Sequence, residues 1–256
     1  MEPESLTLAG WLAVGAVFLF AGLVHGTLGL GFPMLATPLL AIAFDIRVAI
    51  LLTLLPTITV NVISILRGGQ WSESIGRHWP LVIMIPAGTI AGTWLLVSVD
   101  PAPFRLLLAA IILLHLFKDR LTALNLDWIK SRKGMAYLIF GLAAGFSAGT
   151  VNVMVPLLII FALQVGMTPL VMVQVFNLCF LAGKTAQMGV FGYTGVMTSS
   201  LLISTLPFAA LSAVALLGGM GVRERVDAET YRKWLHRVLV VMVVMLTGQY
   251  LLELVS

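Results

Sequence analysis

Charge is what this chain has least of. Only 10% of its 256 residues are Asp, Glu, Lys or Arg, against about 25% in an average soluble domain. With 60% hydrophobic residues and a mean hydropathy of +1.06, water is not its main solvent. Acid is absent where it could act: all eleven acidic residues fall in termini, turns or helix ends. That removes the carboxylates a cation carrier keeps at membrane depth and argues for an anionic ligand. The single cysteine, Cys179, excludes an intrachain disulfide and reads as a small packing residue. The chain has no P-loop, no HExxH and no metal-ligand cluster, so ATP-driven transport by this chain and metal chemistry lack a motif, and no cofactor is implied. Nothing places a nucleophile beside a base, so no enzyme is expected. The net charge of +4 and pI near 9.5 would suggest nucleic acid in a soluble chain. Here the basic residues sit in short loops and set membrane orientation instead, and nucleic acid is no partner.

What the chain does have is apolar runs of spanning length from end to end, which define an all-α polytopic membrane protein with the lipid bilayer as its surroundings. The short alternating segments of a membrane β-barrel are missing. The start, MEPESLTL, has no basic n-region, so the first apolar segment, about 6–24, is expected to stay as a helix. It leads into HGTLGLGFP, from His25 to Pro33, a glycine-rich break too apolar for an ordinary loop. A short helix is predicted over 33–44 with proline at its first position, then helices over 48–66 and 80–97 and one ending near 117. A polar loop, RGGQWSESIGRHWP, is expected at 67–79, and the basic stretch KDRLTALNLDWIKSRKG is the only long hydrophilic segment.

After that stretch the plan starts again. Gly31 and Pro38 have six residues between them, as do Gly149 and Pro156, and both prolines precede Leu-Leu. Pro86 matches Pro207, and Val99-Asp100 with Arg105 matches Val226-Asp227 with Arg232. This divides the chain into a first repeat at 1–118, a basic cytoplasmic connector at 119–135 and a second repeat at 136–256. If each half is a glycine-broken hairpin plus three transmembrane helices, the halves have inverted topology. With the connector in the cytoplasm, twelve of the fifteen basic residues lie inside, Arg47 and Arg105 outside and Lys184 in the membrane. That is a strong positive-inside bias, and it puts both termini outside the cytoplasm of a bacterial-type inner membrane.

The candidate site follows from the polar residues left in apolar segments. Lys184 is the one charged side chain that no loop can hold, and a lysine in such a place usually faces a cavity or a partner. At about 100° per residue Asn177 lines up with Lys184, with Gln174 and Gln187 on the same face. In the first half Thr53, Thr57, Asn61 and Ser64 share a face. Interhelical hydrogen bonding is the plainer use of such stripes. The broken segments carry Gly29 and Gly31, and Gly149, Thr150 and Asn152. Two short helices starting there would aim N–H groups at an anion from opposite sides; glycines that only permit close helix packing are the alternative. His25, at the first break, could titrate with transport or simply pack.

GLVHGTLGLGFPMLATPLL and GLAAGFSAGTVNVMVPLL resemble the glycine-rich repeat signature of the TauE/SafE sulfite exporter family, and NLCFLAGK is similar to its second-half polar helix. The resemblance covers nearly the whole chain, although Gly31 is followed by Phe32 and Pro33 where the family usually runs adjacent glycines. It implies an inner-membrane permease moving sulfite, organosulfonates or related sulfur or carboxylate anions. The expectation is a secondary transporter, an exporter, binding a small inorganic or organic anion at broken-helix ends near the membrane midplane. An anion channel, or a non-transporting membrane subunit that helps assemble a partner complex, are the alternatives. A homodimer is compatible with this class, with no stripe marking its interface.

Overall fold

The structure is a computed structural model describing residues 7–69, 71–117, 126–222, 236–237 and 239–248. Every regular element among them is a helix: α1 (Leu8–Leu28), α2 (Phe32–Ala41), α3 (Ile46–Arg67), α4 (Trp71–Ser98), α5 (Ala102–Leu116), α6 (Asp127–Ser131), α7 (Lys133–Val151), α8 (Val155–Gln164), α9 (Pro169–Tyr193), α10 (Ser199–Ser204), α11 (Leu206–Val222) and α12 (Leu239–Gly248). Six are long and apolar enough to cross a membrane: α1, α3, α4, α7, α9 and the α10–α11 unit, Ser199–Val222.

Three of the long helices, α1, α3 and α9, start where a side chain takes an orphan N–H. Thr7 accepts from Gly10, Asp45 from Arg47 at 2.8 Å and Thr168 from Val171. At the far end of α4, the Arg47 guanidinium donates to the carbonyls of Leu96 and Val99, covering acceptors that the helix leaves open.

Glycine sets how the helices meet. α4 packs most extensively on α7, and α1 on α11. In the first pair Gly88 and Gly92 face the backbone of Leu142 and Phe146, while Gly145 and Gly149 face that of Ile85 and Thr89. In the second, a Cβ on Gly22 would stand 2.8 Å from the Ser212 carbonyl, and one on Gly26 would meet the Leu216 carbonyl. Without a hydrophobic force between helices in lipid, this backbone approach supplies the dispersion contact. Both pairs join a helix from one half of the chain to a helix from the other. α9 lies against α3 and α4, and α3 also against α11.

Several boundaries differ from the sequence expectations. α4 begins at Trp71, so most of the expected loop at 67–79 is helix. Its buried face continues through Ser74, His78, Leu81 and Ile85, and the His78 ring bonds Tyr137 of α7 at 2.8 Å. Pro80 is tolerated because the carbonyl it leaves unbonded belongs to exposed Gly76. α1 runs on through His25 to Leu28, leaving a break of three residues. The end of the connector is helical, in α6 and the start of α7.

The register between halves also changes. Pro33 and Pro156 both sit in the first turn of a short helix, whereas Pro38 is inside α2. Pro33 and Pro156, and the cap residues Asp45 and Thr168, are each 123 positions apart. At this spacing Ala21-Gly22, Gly26-Thr27 and Pro33 match Ala144-Gly145, Gly149-Thr150 and Pro156. The correspondence of Gly31 and Pro38 with Gly149 and Pro156 is therefore corrected; it arose from a local Pro-Leu-Leu coincidence. The 123 spacing also sets Asn61 opposite Lys184 and Ser64 opposite Gln187. Residues 119–125 of the connector, Lys118, Arg223, Arg225, Val226, Asp227, Arg232, Lys233 and the extreme termini lie outside the described residues.

Candidate functional site

Each broken segment is a left-handed turn inside the bundle. Gly29 ends α1 at φ 81° and Gly31 precedes α2 at φ 106°. A side chain at Gly29 would also meet Val173 of α9 at 2.8 Å, so conformation and packing both select glycine. The position 123 residues on is Asn152, at φ 62°, the only described non-glycine residue with positive φ. Asparagine tolerates that region better than most residues. The short helices that follow are interior: nine of the ten residues of α2 are buried, and so are six of α8.

The first break is held by His25, buried at 1% exposure. Phe32 donates its N–H to His25 Nδ1 at 3.3 Å, which leaves Nε2 to donate to Ser64 Oγ at 3.1 Å. The imidazole therefore caps α2, and Pro33, next in line, has no N–H to offer. Asn177 donates to the Gly29 carbonyl at 3.0 Å and to Val173 of its own helix. Gln174, one turn earlier, donates to the Ile65 carbonyl near the end of α3.

At the second break Asn152 reaches into the other half, donating to Thr37 of α2 at 2.6 Å and Thr53 of α3 at 2.8 Å. No side chain caps the start of α8. Gly149 lies inside α7, ahead of the break, and contributes its carbonyl. Thr150 turns its hydroxyl back onto Phe146 and Ser147 of its own helix. Asn61 likewise donates to Thr57 of its own helix.

Lys184 is 1% exposed and is the only buried Lys, Arg, Asp or Glu among the described residues. Its ammonium donates to Gln187 Oε1. Gln187 in turn donates to the Gly149 carbonyl at 3.1 Å and to Thr93 at 3.4 Å. Met154, the residue before α8, packs beside Gly183. Lys184 thus sits against the second break, while His25, Asn177 and Gln174 gather at the first, and α3 and α9 join the two sets. Thr37 and Thr93 were missed as site residues, while Ser64 stood in the polar stripe of the first half. Thr37 and Thr93 had no signal, since only tertiary packing brings them in.

A cavity of about 350 Å³ opens between the ends of α3 and α9, lined by Gly26, Gly29, Ser64, Arg67 and Gln174 among others. It reaches the first break, and Lys184 does not line it. A second hollow, of about 460 Å³, lies among α4, α5, α7 and α8 and is lined almost wholly by apolar residues such as Ala91, Leu107 and Phe146.

A family model described as "Sulfite exporter TauE/SafE" matches residues 14–246. No curated protein and no solved structure matches the chain.

Proposed function

We propose, from the premise that this chain belongs to the TauE/SafE sulfite exporter family, that it is a secondary transporter exporting a small sulfur-containing or carboxylate anion. The observation that carries the reading is Lys184, an ammonium buried with only the neutral Gln187 bonded to it. Removing an ion from water costs several kcal/mol unless an opposite charge or a full set of hydrogen bonds offsets it. No buried carboxylate among the described residues does so. A bound anion would, and the uncapped N-terminus of α8 beside Met154 adds a favourable dipole.

Alternating access between two inverted halves is the mechanism we infer. In its support, helix starts recur at a spacing of 123, and the first-half end of α3 at Ile65 meets the beginning of α9 at Gln174. Repeat mates running antiparallel are what inversion requires. The paired glycine interfaces, α1 with α11 and α7 with α4, exchange under the same relation. With the loop basic residues inside, the cavity under Arg67 faces the cytoplasm and admits the anion towards the first break, and both termini lie outside. Rocking of the halves would then expose Lys184 to the other face.

The test is thermal unfolding of purified protein against a panel of anions, wild type beside Lys184→Ala. Ligand that binds only the folded state raises Tm by mass action. Stabilisation by sulfite, a sulfonate or a carboxylate in the wild type alone is the expected result. No shift in either protein, with both well folded, would move the chain to the partner-subunit reading. Saturable transport would separate a carrier from a channel.

A further inference from the structure

We propose that the cavity at the first break is a second anion-binding site, apart from Lys184, in which the Ser64 hydroxyl makes the contact and Arg67 supplies the attraction. The inference rests on the anion-transporter reading and adds a loading site to it. Three residues pass hydrogen bonds along one line. Phe32 donates its N–H to His25 Nδ1 at 3.3 Å, and His25 Nε2 donates to Ser64 Oγ at 3.1 Å. The direction is fixed at its start, because a backbone N–H can only donate. Ser64 therefore accepts, and its own hydrogen is left over. On the same helix the Thr53 and Thr59 hydroxyls bond back to the Ile50 and Leu55 carbonyls. Ser64 makes no such bond among the described residues. It lines the cavity of about 350 Å³ and is 5% exposed, so that space is where its hydrogen can find an acceptor. Hydrogen bonds in a chain polarise one another, which makes this last hydroxyl a stronger donor than an isolated serine.

The rest of the lining favours negative charge. Arg67 follows Ser64 on α3 and is exposed at the mouth, and no Asp or Glu is among the lining residues. Gln174 is the other polar side chain there. Its nitrogen serves the Ile65 carbonyl and its oxygen packs on Gly68. The repeat gives independent support. At the spacing of 123, Gly26 and Ser64 of this cavity correspond to Gly149 and Gln187, which are bonded to each other beside Lys184. An inverted repeat with an anion at one such pair has a place for it at the other. Here the charge stands at the mouth, since the mate of Lys184 is the neutral Asn61. One hydroxyl under a solvent-screened guanidinium binds weakly, with Kd on the order of 10 mM. It therefore adds no Tm shift at the lower concentrations that fill the Lys184 site.

The experiment puts a reporter in the lining. Gly69 lines the cavity with open space where a Cβ would stand, so Gly69→Cys is made in the full chain. Its alkylation by uncharged N-ethylmaleimide is timed in purified protein. Cys179 is fully buried, and the wild type serves as the blank. The probes are propane-1-sulfonate and acetate, exchanged against chloride at constant ionic strength so that the field of Arg67 stays the same. At least one probe should slow labelling, half-maximally on the order of 10 mM. Ser64→Ala should raise that concentration about fivefold or more, while Ser64→Thr keeps it. The alanine protein should fold, because water from the cavity can take the His25 N–H; Ser64→Gly, with more room for that water, replaces it otherwise. Lys184→Met should leave the half-protecting concentration within about twofold. Protection that ignores Ser64→Ala, or that vanishes with Lys184→Met, would overturn the inference. So would absence of protection by both probes where Tm still reports Lys184-dependent binding, a result that leaves the anion reading standing. Silence in both assays would remove the anion reading and this inference with it.

Discussion

Asn152 makes the sharpest prediction about how the broken helix is held. Its side chain ties the second break to Thr37 and Thr53 of the other half, and its backbone sits at φ 62°. Substituting glycine removes two hydrogen bonds but suits the left-handed turn. Interhelical hydrogen bonds within a bilayer average about 0.6 kcal/mol each, so Asn152→Gly should cost about 1 kcal/mol. Asn152→Ala loses the same bonds and keeps a Cβ in the left-handed region without asparagine's tolerance of it, so it should lie about 1–2 kcal/mol below Asn152→Gly. Reversible unfolding in mixed detergent micelles measures both. The order wild type, glycine, alanine is expected, and a double-mutant cycle with Thr53→Val should return a coupling of about 0.6 kcal/mol. Alanine as stable as glycine would refute the left-handed break. Zero coupling would refute the cross-half bond.

Two other substitutions probe packing and access. Gly145→Val drives a side chain into the Ile85 carbonyl across the α4–α7 interface; it should abolish monodisperse folded protein in size-exclusion chromatography, while Gly134→Val, with open space around it, should not. Arg67→Ala, at the mouth of the cavity, should slow initial anion flux several-fold at low ionic strength, and the deficit should shrink as salt is raised; a deficit independent of salt would assign Arg67 a contact role.

Much of the fold was legible because bilayer physics is strict. Apolar length located the long helices, and glycine with proline located the breaks at 29–31 and 152–154 to within a few residues. The helix over 71–79 was hidden because a polar surface helix reads as a loop until Tyr137 is seen bonding His78. The register between halves was misjudged because two Pro-Leu-Leu runs resemble each other more than the helix starts do. Lys184, Asn177 and Asn152 stood out as polar residues in apolar surroundings. The direction each amide points was not readable, since it depends on carbonyls up to 148 positions away. His25, a candidate for titration, proves to cap α2, a role set by a fold-back of seven residues that no composition signals.

The central claim is that Lys184 supplies the charge that recognises a transported anion. Flux of labelled sulfite in proteoliposomes, wild type beside Lys184→Met, tests it directly. Methionine keeps the length and fills the buried volume without charge, so folding should persist. Saturable flux in the wild type and at least a hundredfold loss in a folded Lys184→Met protein is the expected result, a loss of about 2.7 kcal/mol. Equal saturable flux in both proteins would contradict the account.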